Sequence, residues 1–248
     1  RQAGLPPWLE RLQDPWPNPS PSTTPTDTKP TVAIVPATFD ASDKLRTTGN
    51  PVRPELFMDA VRAPLAERRA RLLVMGGSQG ARTINFAAVE ALAERPGRDF
   101  AVIHVSGSRD YAALRERLDS APYADGYTLL EYEPDMGDGI AASDLALARS
   151  GASVFELAAL GRAAVLVPYP YATGDHQTAN AKWMADAGAA VIVPDSELGP
   201  ERLLSEVTAL LGDSGRLEAM STASKALARP HAATEVADEV MNLIGAGS

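Results

Sequence analysis

The chain has 248 residues, a formal net charge of −9 at pH 7, 45% hydrophobic residues and no cysteine. That length allows one or two domains with a sizeable core, the acidic balance argues against a nucleic-acid partner, and the missing cysteines exclude disulfides and thiolate metal sites. No apolar run reaches the roughly 18 residues of a membrane-spanning helix and no secretory signal is visible, so a soluble cytoplasmic protein is the default expectation. The chain starts at Arg1 rather than Met, which reads as a cut or processed beginning.

Residues 1–30 carry Pro6, Pro7, Pro15, Pro17, Pro19, Pro21, Pro25 and Pro30. Proline fixes φ and removes a donor, so this stretch reads as a semi-rigid, poorly ordered linker, with Trp8-Leu9 and Trp16 as residues that could dock on a partner. Residues 31–53 hold a short apolar run, Thr31-Val32-Ala33-Ile34-Val35, and then Thr48-Gly49-Asn50-Pro51-Val52-Arg53, where Gly-Asn-Pro is turn chemistry. From Arg71 the pattern becomes regular. Apolar runs fall at 71–75, 101–105, 127–132, 144–148, 163–168 and 189–193, with helical patterns at 80–94, 109–119, 135–142, 153–160 and 176–187. Gly161 and Gly188 stand where helix C-caps are expected. The tail, 199–246, reads as two or three amphipathic helices interrupted near Pro230. Strands alternating with helices predict an α/β fold with a doubly wound parallel sheet of Rossmann type.

Two loops stand out in that frame. Gly76-Gly77-Ser78-Gln79-Gly80-Ala81-Arg82 follows the first regular strand, and Arg149-Ser150-Gly151-Ala152-Ser153 follows the fourth. In the strand order 3-2-1-4-5-6 these strands are neighbours, and their loops open the crevice where nucleotides bind. Both loops lead into helix N-termini, which favour phosphate. The first loop is not a P-loop, because the Lys-Ser/Thr pair is missing. The glycine spacing and the lack of an acidic residue ending the second strand disfavour a dinucleotide and hydride chemistry. No cluster has metal-ligand spacing, since His104, His176 and His231 are far apart in sequence. The pattern points to a nucleotide or nucleotide-sugar site that needs no cofactor.

Four motifs, in order, carry a family resemblance. They are Gly49-Asn50-Pro51-Val52-Arg53; the first glycine loop; the second loop with Glu156-Leu157-Ala158-Ala159; and Val167-Pro168-Tyr169-Pro170-Tyr171 with Asp175-His176-Gln177-Thr178-Ala179-Asn180-Ala181. Over residues 31–246 the chain resembles the MurG family of N-acetylglucosaminyltransferases. The resemblance implies the C-terminal domain of a two-domain GT-B glycosyltransferase. In that family GlcNAc passes from UDP-GlcNAc to a lipid-linked muramoyl-pentapeptide, lipid I becoming lipid II, in peptidoglycan synthesis. The family's first domain, with a Gly-Gly-His loop, the acceptor surface, the membrane-facing patch and the proposed base, has no counterpart here beyond residues 31–48. The chain therefore looks like the donor half, with 31–53 a remnant and inter-domain connection and 54–248 the donor-binding domain. The complete enzyme is expected at the cytoplasmic face of the plasma membrane, peripherally associated, and this chain alone is expected to be inactive.

The resemblance implies roles residue by residue. Ser78, with the N–H groups of Gly77, Gln79 and Gly80, would hold the diphosphate, and a tight βα turn is the plain alternative. Arg53 would neutralise the same diphosphate with paired donors. Glu156 would accept from the ribose hydroxyls. Its rival is a capping box with Ser153 as N-cap and Glu156 at N3. His176 and Gln177 would contact GlcNAc hydroxyls, Asp175 being the expected N-cap. Asn180 would support them, against the alternative of a solvated helix face. The backbone of Tyr132-Glu133-Pro134-Asp135-Met136 would read the uracil edge, and Tyr169 and Tyr171 are expected as packing residues. Two other readings stay open: the donor subunit of a split UDP-GlcNAc transferase, and a non-catalytic UDP-sugar-binding module.

Overall fold

Each regular apolar run becomes a strand of one parallel sheet. A computed structural model describes residues 48–57, 68–76 and 81–245. The Pro-rich stretch, the 31–35 run and residues 77–80 of the first glycine loop lie outside the described residues. The strands are β1 (Arg71–Met75), β2 (Ala101–Val105), β3 (Tyr127–Leu130), β4 (Leu145–Ala148), β5 (Ala163–Leu166) and β6 (Ala190–Ile192). Their order is β3-β2-β1-β4-β5-β6, with every neighbouring pair parallel. This is the doubly wound, Rossmann-like order that the sequence predicts.

Eight helices are described: α1 (Arg82–Leu92), α2 (Ser108–Ser120), α3 (Met136–Ala142), α4 (Ser153–Ala159), α5 (His176–Asp186), α6 (Pro200–Leu211), α7 (Ser214–Ala226) and α8 (Ala232–Gly245). They cover both faces. Leu72 and Val74 of β1 share a buried cluster with Ile84 and Ala88 of α1, Leu114 of α2, and Leu203 and Val207 of α6. Leu73 points the other way, toward Gly139 of α3. A strand covered on both faces reads as a continuous apolar run rather than an alternation, which is why β1 and β4 are legible as Leu-Leu-Val-Met and Leu-Ala-Leu-Ala. The tail resolves into three helices, and the break between α7 and α8 contains Pro230.

Most boundaries shift inward by a residue or two. Asp144 lies just outside β4, where its carboxylate accepts from both terminal nitrogens of Arg68, at 2.6 and 2.8 Å, and from the Arg71 N–H at 2.9 Å. It thus clamps the entrance of β1 to that of β4. Gly161 and Gly188 take φ values of 60° and 80° after α4 and α5, the left-handed conformation that ends helices cheaply at glycine. Buried Arg162 donates to the carbonyls of Ile140 and Ala141, at 3.0 and 3.1 Å. It thereby adds donors to carbonyls in the last turn of α3, where helical partners run out.

A buried polar chain runs beneath the sheet's first half. Tyr127 OH lies 2.7 Å from His104 Nδ1, and His104 Nε2 lies 3.0 Å from Asn85 Oδ1. Asn85 Nδ2 donates to Ser106 O and to Asp110, both at 2.9 Å, and Asp110 pairs with Arg82 at 3.2 Å. One tautomer satisfies every group: Nε2–H donates to Asn85, and Nδ1 accepts from the tyrosine hydroxyl. His104 is fully buried, and burial pushes its pKa down to about 3.

The folded state therefore refuses a proton that the unfolded chain takes near pH 6.5. Because the unfolded state binds more protons between those values, stability falls as the pH drops through that window. Between pH 7 and 5 His104 is expected to remove about 2 kcal/mol. Urea unfolding at both pH values checks this. His104→Gln should lower stability at pH 7 yet lose less of it on acidification, and an unchanged pH slope would contradict a neutral buried imidazole.

Candidate functional site

Parallel pairing of β1 with β4 aligns Met75 with Ala148, so the chain leaves both strands side by side at Gly76 and Arg149. Here the strand order reverses, and a crevice opens at the carboxyl edge. Ser78, Gly77, Gln79 and Gly80, expected on the first loop, lie outside the described residues.

The second loop is fixed by α5. Ser150 Oγ donates to Gln177 O at 2.7 Å, and Asn180 Nδ2 donates to Ser150 O at 3.0 Å. Asn180 is buried, which corrects the reading of a solvated helix face. Its side chain lies on the inner face of α5, where it pins the loop.

The capping box is also corrected. The N-cap of α4 is Ala152, and Ser153 is the first helical residue, its Oγ bonding back to Arg149 O at 3.4 Å. Ser153 is one residue too far along to cap, so Glu156 does not sit at N3. Among the described residues the Glu156 carboxylate has no hydrogen-bond partner. It is partly buried, and burial raises its pKa against the opposing pull of Arg53, with Asp135 adding to the rise.

Those influences reflect proximity. Arg53 follows the Asn-Pro turn, and the short 3-10 turn Pro54–Phe57 comes after it. That turn is anchored by buried Leu56, packed so closely on α3 that a Cβ at Gly137 would overlap it. Arg53 Nη2 lies 3.4 Å from Asp135 Oδ1, with both side chains about half exposed. Arg53, Asp135 and Glu156 thus come together from the connector, the β3–α3 loop and α4. Glu133 is buried and accepts from the Asp135 N–H at 3.0 Å, and burial raises its carboxyl pKa. One backbone donor of the expected uracil-reading segment is therefore already engaged, while Tyr132 is exposed.

The β5–α5 loop brings the remaining residues. Gln177 Oε1 accepts from the Tyr169 N–H at 3.0 Å. That fixes the side chain and directs its NH2 group away from the bond. His176 Nδ1 lies 2.7 Å from Thr173 O. A carbonyl partner requires the hydrogen on Nδ1, so the neutral ring leaves Nε2 as an acceptor. Asp175 stands at the expected N-cap position of α5 but does not cap the helix. Its φ of 53° and ψ of 25° are left-handed, and its side chain makes no cap bond. Capping needs extended backbone at that position. Asp175 is the one non-glycine residue with positive φ among the described residues, and it follows Gly174 at φ 60°.

Neither tyrosine is the packed residue the sequence predicts: Tyr169 is 43% exposed, with Arg149 5.4 Å from its ring centroid, and Tyr171 is more exposed still. It is 82% exposed and meets the Tyr169 ring edge-to-face at 5.6 Å. Sequence reasoning gave Asp135 only a backbone part in the expected uracil-reading segment and gave the side chains of Arg149 and Asp195 no role, although the Arg149-Ser150 pair lay inside a motif. Their importance comes from long-range pairs that no local spacing encodes.

Residues 71–236 match the glycosyltransferase family 28 C-terminal domain. A UDP-N-acetylglucosamine–N-acetylmuramyl-(pentapeptide) pyrophosphoryl-undecaprenol N-acetylglucosamine transferase of Pseudomonas entomophila is 45% identical over 208 residues, 82% of this chain and 56% of the relative. The protein of the same name from Pseudomonas putida strain GB-1 is 45% identical with the same coverage. The crystal structure of Acinetobacter baumannii MurG superposes with a TM-score of 0.70 at 34% identity, over 84% of this chain and 59% of that one. The calicheamicin glycosyltransferase CalG4, at 23% identity and a TM-score of 0.53 over 71% of this chain and 42% of that one, shares the fold. The chain spans little more than half the length of the curated relatives it matches. No helix among the described residues is long and apolar enough to cross a membrane. With its six-stranded switch-point sheet inside the matched segment, the chain belongs to the glycosyltransferase family 28 C-terminal domains, the second domain of the two-domain GT-B architecture.

Proposed function

We propose that this chain binds UDP-GlcNAc for an inverting transfer of GlcNAc to a lipid-linked muramoyl-pentapeptide, the step of peptidoglycan synthesis that its relatives' names describe. The observation that carries the reading is Glu156. It is a partly buried carboxylate at the switch point, with Arg53 nearby and no hydrogen-bond partner among the described residues. Such a group is costly to hold unless something donates to it. A ribose diol supplies two donors.

On this reading Arg53 exchanges its weak contact with Asp135 for the diphosphate, alongside Ser78 and the N–H groups of Gly77, Gln79 and Gly80. The backbone about Glu133 meets uracil. The Gln177 amide and His176 Nε2 meet GlcNAc hydroxyls, and Asn180 acts through Ser150. The acceptor hydroxyl attacks the anomeric carbon and UDP departs, its charge met by Arg53 and by helix N-termini. Residues 54–248 are then the donor-binding domain, and residues 31–53 connect it to an acceptor-binding half. The complete enzyme works at the cytoplasmic face of the plasma membrane.

Ligand that binds only the folded state raises stability by mass action. UDP is expected to raise the melting temperature well beyond ADP or NAD, and equal shifts would sink the uridine assignment.

Calorimetric titration separates ribose from sugar. A neutral hydrogen bond contributes roughly 0.5–1.5 kcal/mol net, so Gln177→Ala is expected to weaken UDP-GlcNAc by up to about tenfold and to leave UDP nearly unchanged. Glu156→Ala should weaken both ligands alike.

Glu156 also predicts a stability effect with a definite sign. Its folded pKa lies above the unfolded one, so ionisation disfavours folding above the folded pKa, and the cost disappears as the pH falls below the unfolded value. Glu156→Gln is therefore expected to raise the ligand-free melting temperature at pH 7, with the gain shrinking toward pH 4. A lower melting temperature at pH 7 would mean that the carboxylate has a protein partner.

A further inference from the structure

The geometry points to Asp195 as a positioning residue that holds the sugar-reading loop to the phosphate-side helix through Arg149. Asp195 opens the 3-10 turn Asp195–Glu197 after β6, and it belongs to none of the motifs assigned to the ligand. Its Oδ1 lies 2.5 Å from Arg149 Nη1. It is a charge contact rather than a hydrogen bond, and among the described residues no group donates to this buried oxygen. Its Oδ2 accepts from Thr83 Oγ1 at 3.3 Å, and Thr83 is the second residue of α1, the helix that follows the first glycine loop.

Arg149 extends the connection. It is buried at the end of β4, and its Nη1 donates to the carbonyls of Val167 and Pro168, at 3.1 and 3.3 Å, where the β5–α5 loop begins. Its guanidinium lies under the Tyr169 ring, and the Tyr169 N–H holds Gln177 Oε1. One carboxylate therefore ties α1, the Arg149 loop and the Gln177 loop together. A buried arginine with one carboxylate partner is sensitive to that partner, because its loss leaves an uncompensated charge. Without Asp195, Arg149 would turn toward water and release Val167, Pro168 and Tyr169.

The ligand side of this inference rests on the reading of Gln177 as a sugar contact. The structural side does not, and the test keeps them apart. Backbone hydrogen exchange at Tyr169 reports the hold on the loop in the ligand-free chain. Asp195→Asn is expected to speed exchange at Tyr169 while circular dichroism stays native. Asp195→Glu, which keeps a carboxylate within reach of Arg149, is expected to recover most of the protection. Calorimetry should show Asp195→Asn weakening UDP-GlcNAc by about fivefold, in the range of coupling within one contact network, with UDP changed by less than about twofold. A general loss of stability would not separate the two ligands. Unchanged protection at Tyr169, or equal weakening of UDP and UDP-GlcNAc while Gln177→Ala still discriminates, would overturn the proposal. If Gln177→Ala itself fails to discriminate, the sugar reading falls, and exchange at Tyr169 still decides the role of Asp195.

Discussion

Leu72–Met75 pairs in parallel with Leu145–Ala148, and from this pair the chain winds toward β3 on one side and β6 on the other. Two parallel strands whose crossovers diverge cannot close the gap between their exits, because the helices that would cover it lie to either side. Everything proposed for this protein depends on that gap. The pair is dry, with Leu72, Leu73, Val74, Leu145 and Leu147 fully buried, so apolar packing holds its register together with the Asp144 clamp at its entrance. The polar residues at its carboxyl end serve other ends.

Polar groups around the sheet fall into two kinds. In the chain from Tyr127 through His104 and Asn85 to Asp110, donors and acceptors match in one arrangement. Such fully satisfied networks rigidify a fold and specify one packing. At the crevice the match is incomplete. Among the described residues the Glu156 carboxylate is partly buried without a hydrogen-bond partner, Arg53 makes a long contact with Asp135, and Asp175 sits in a strained backbone region. Incomplete satisfaction at a concave edge, beside complete satisfaction elsewhere, is how a protein stores affinity for something outside itself.

The order of strands was legible because each was a short, mostly apolar run between helical patterns, and Gly161 and Gly188 marked their helix ends as expected. Cap chemistry was less legible. Ser153-Val154-Phe155-Glu156 has the spacing of a capping box, yet the helix begins at Ser153 rather than after it. Asp175 precedes α5 like a cap, but Gly174 before it lets the backbone turn left-handed, and Asp175 follows. Both misreadings share a cause: backbone conformation at a helix start is set by how the preceding loop docks, not by the local residue list. The Arg149–Asp195 pair was hidden for a simpler reason. Its members lie on different strand exits, and only the folded sheet makes them neighbours.

The two consecutive left-handed residues before α5 fix where that helix can begin. A helix cannot grow backward through φ values of 60° and 53°, so its first residue is His176 and its second is Gln177. Each residue advances an α-helix by about 100°. Were the start to drift by a single position, Gln177 would swing a quarter-turn or more away from Tyr169, and Asn180 would leave Ser150. The turn therefore works as an angular stop. It isolates the rotational phase of α5 from changes in the length of the loop before it. The span between β5 and Gly174 can vary without moving what α5 presents, whereas one residue gained or lost between Asp175 and Asn180 would turn that face out of the crevice.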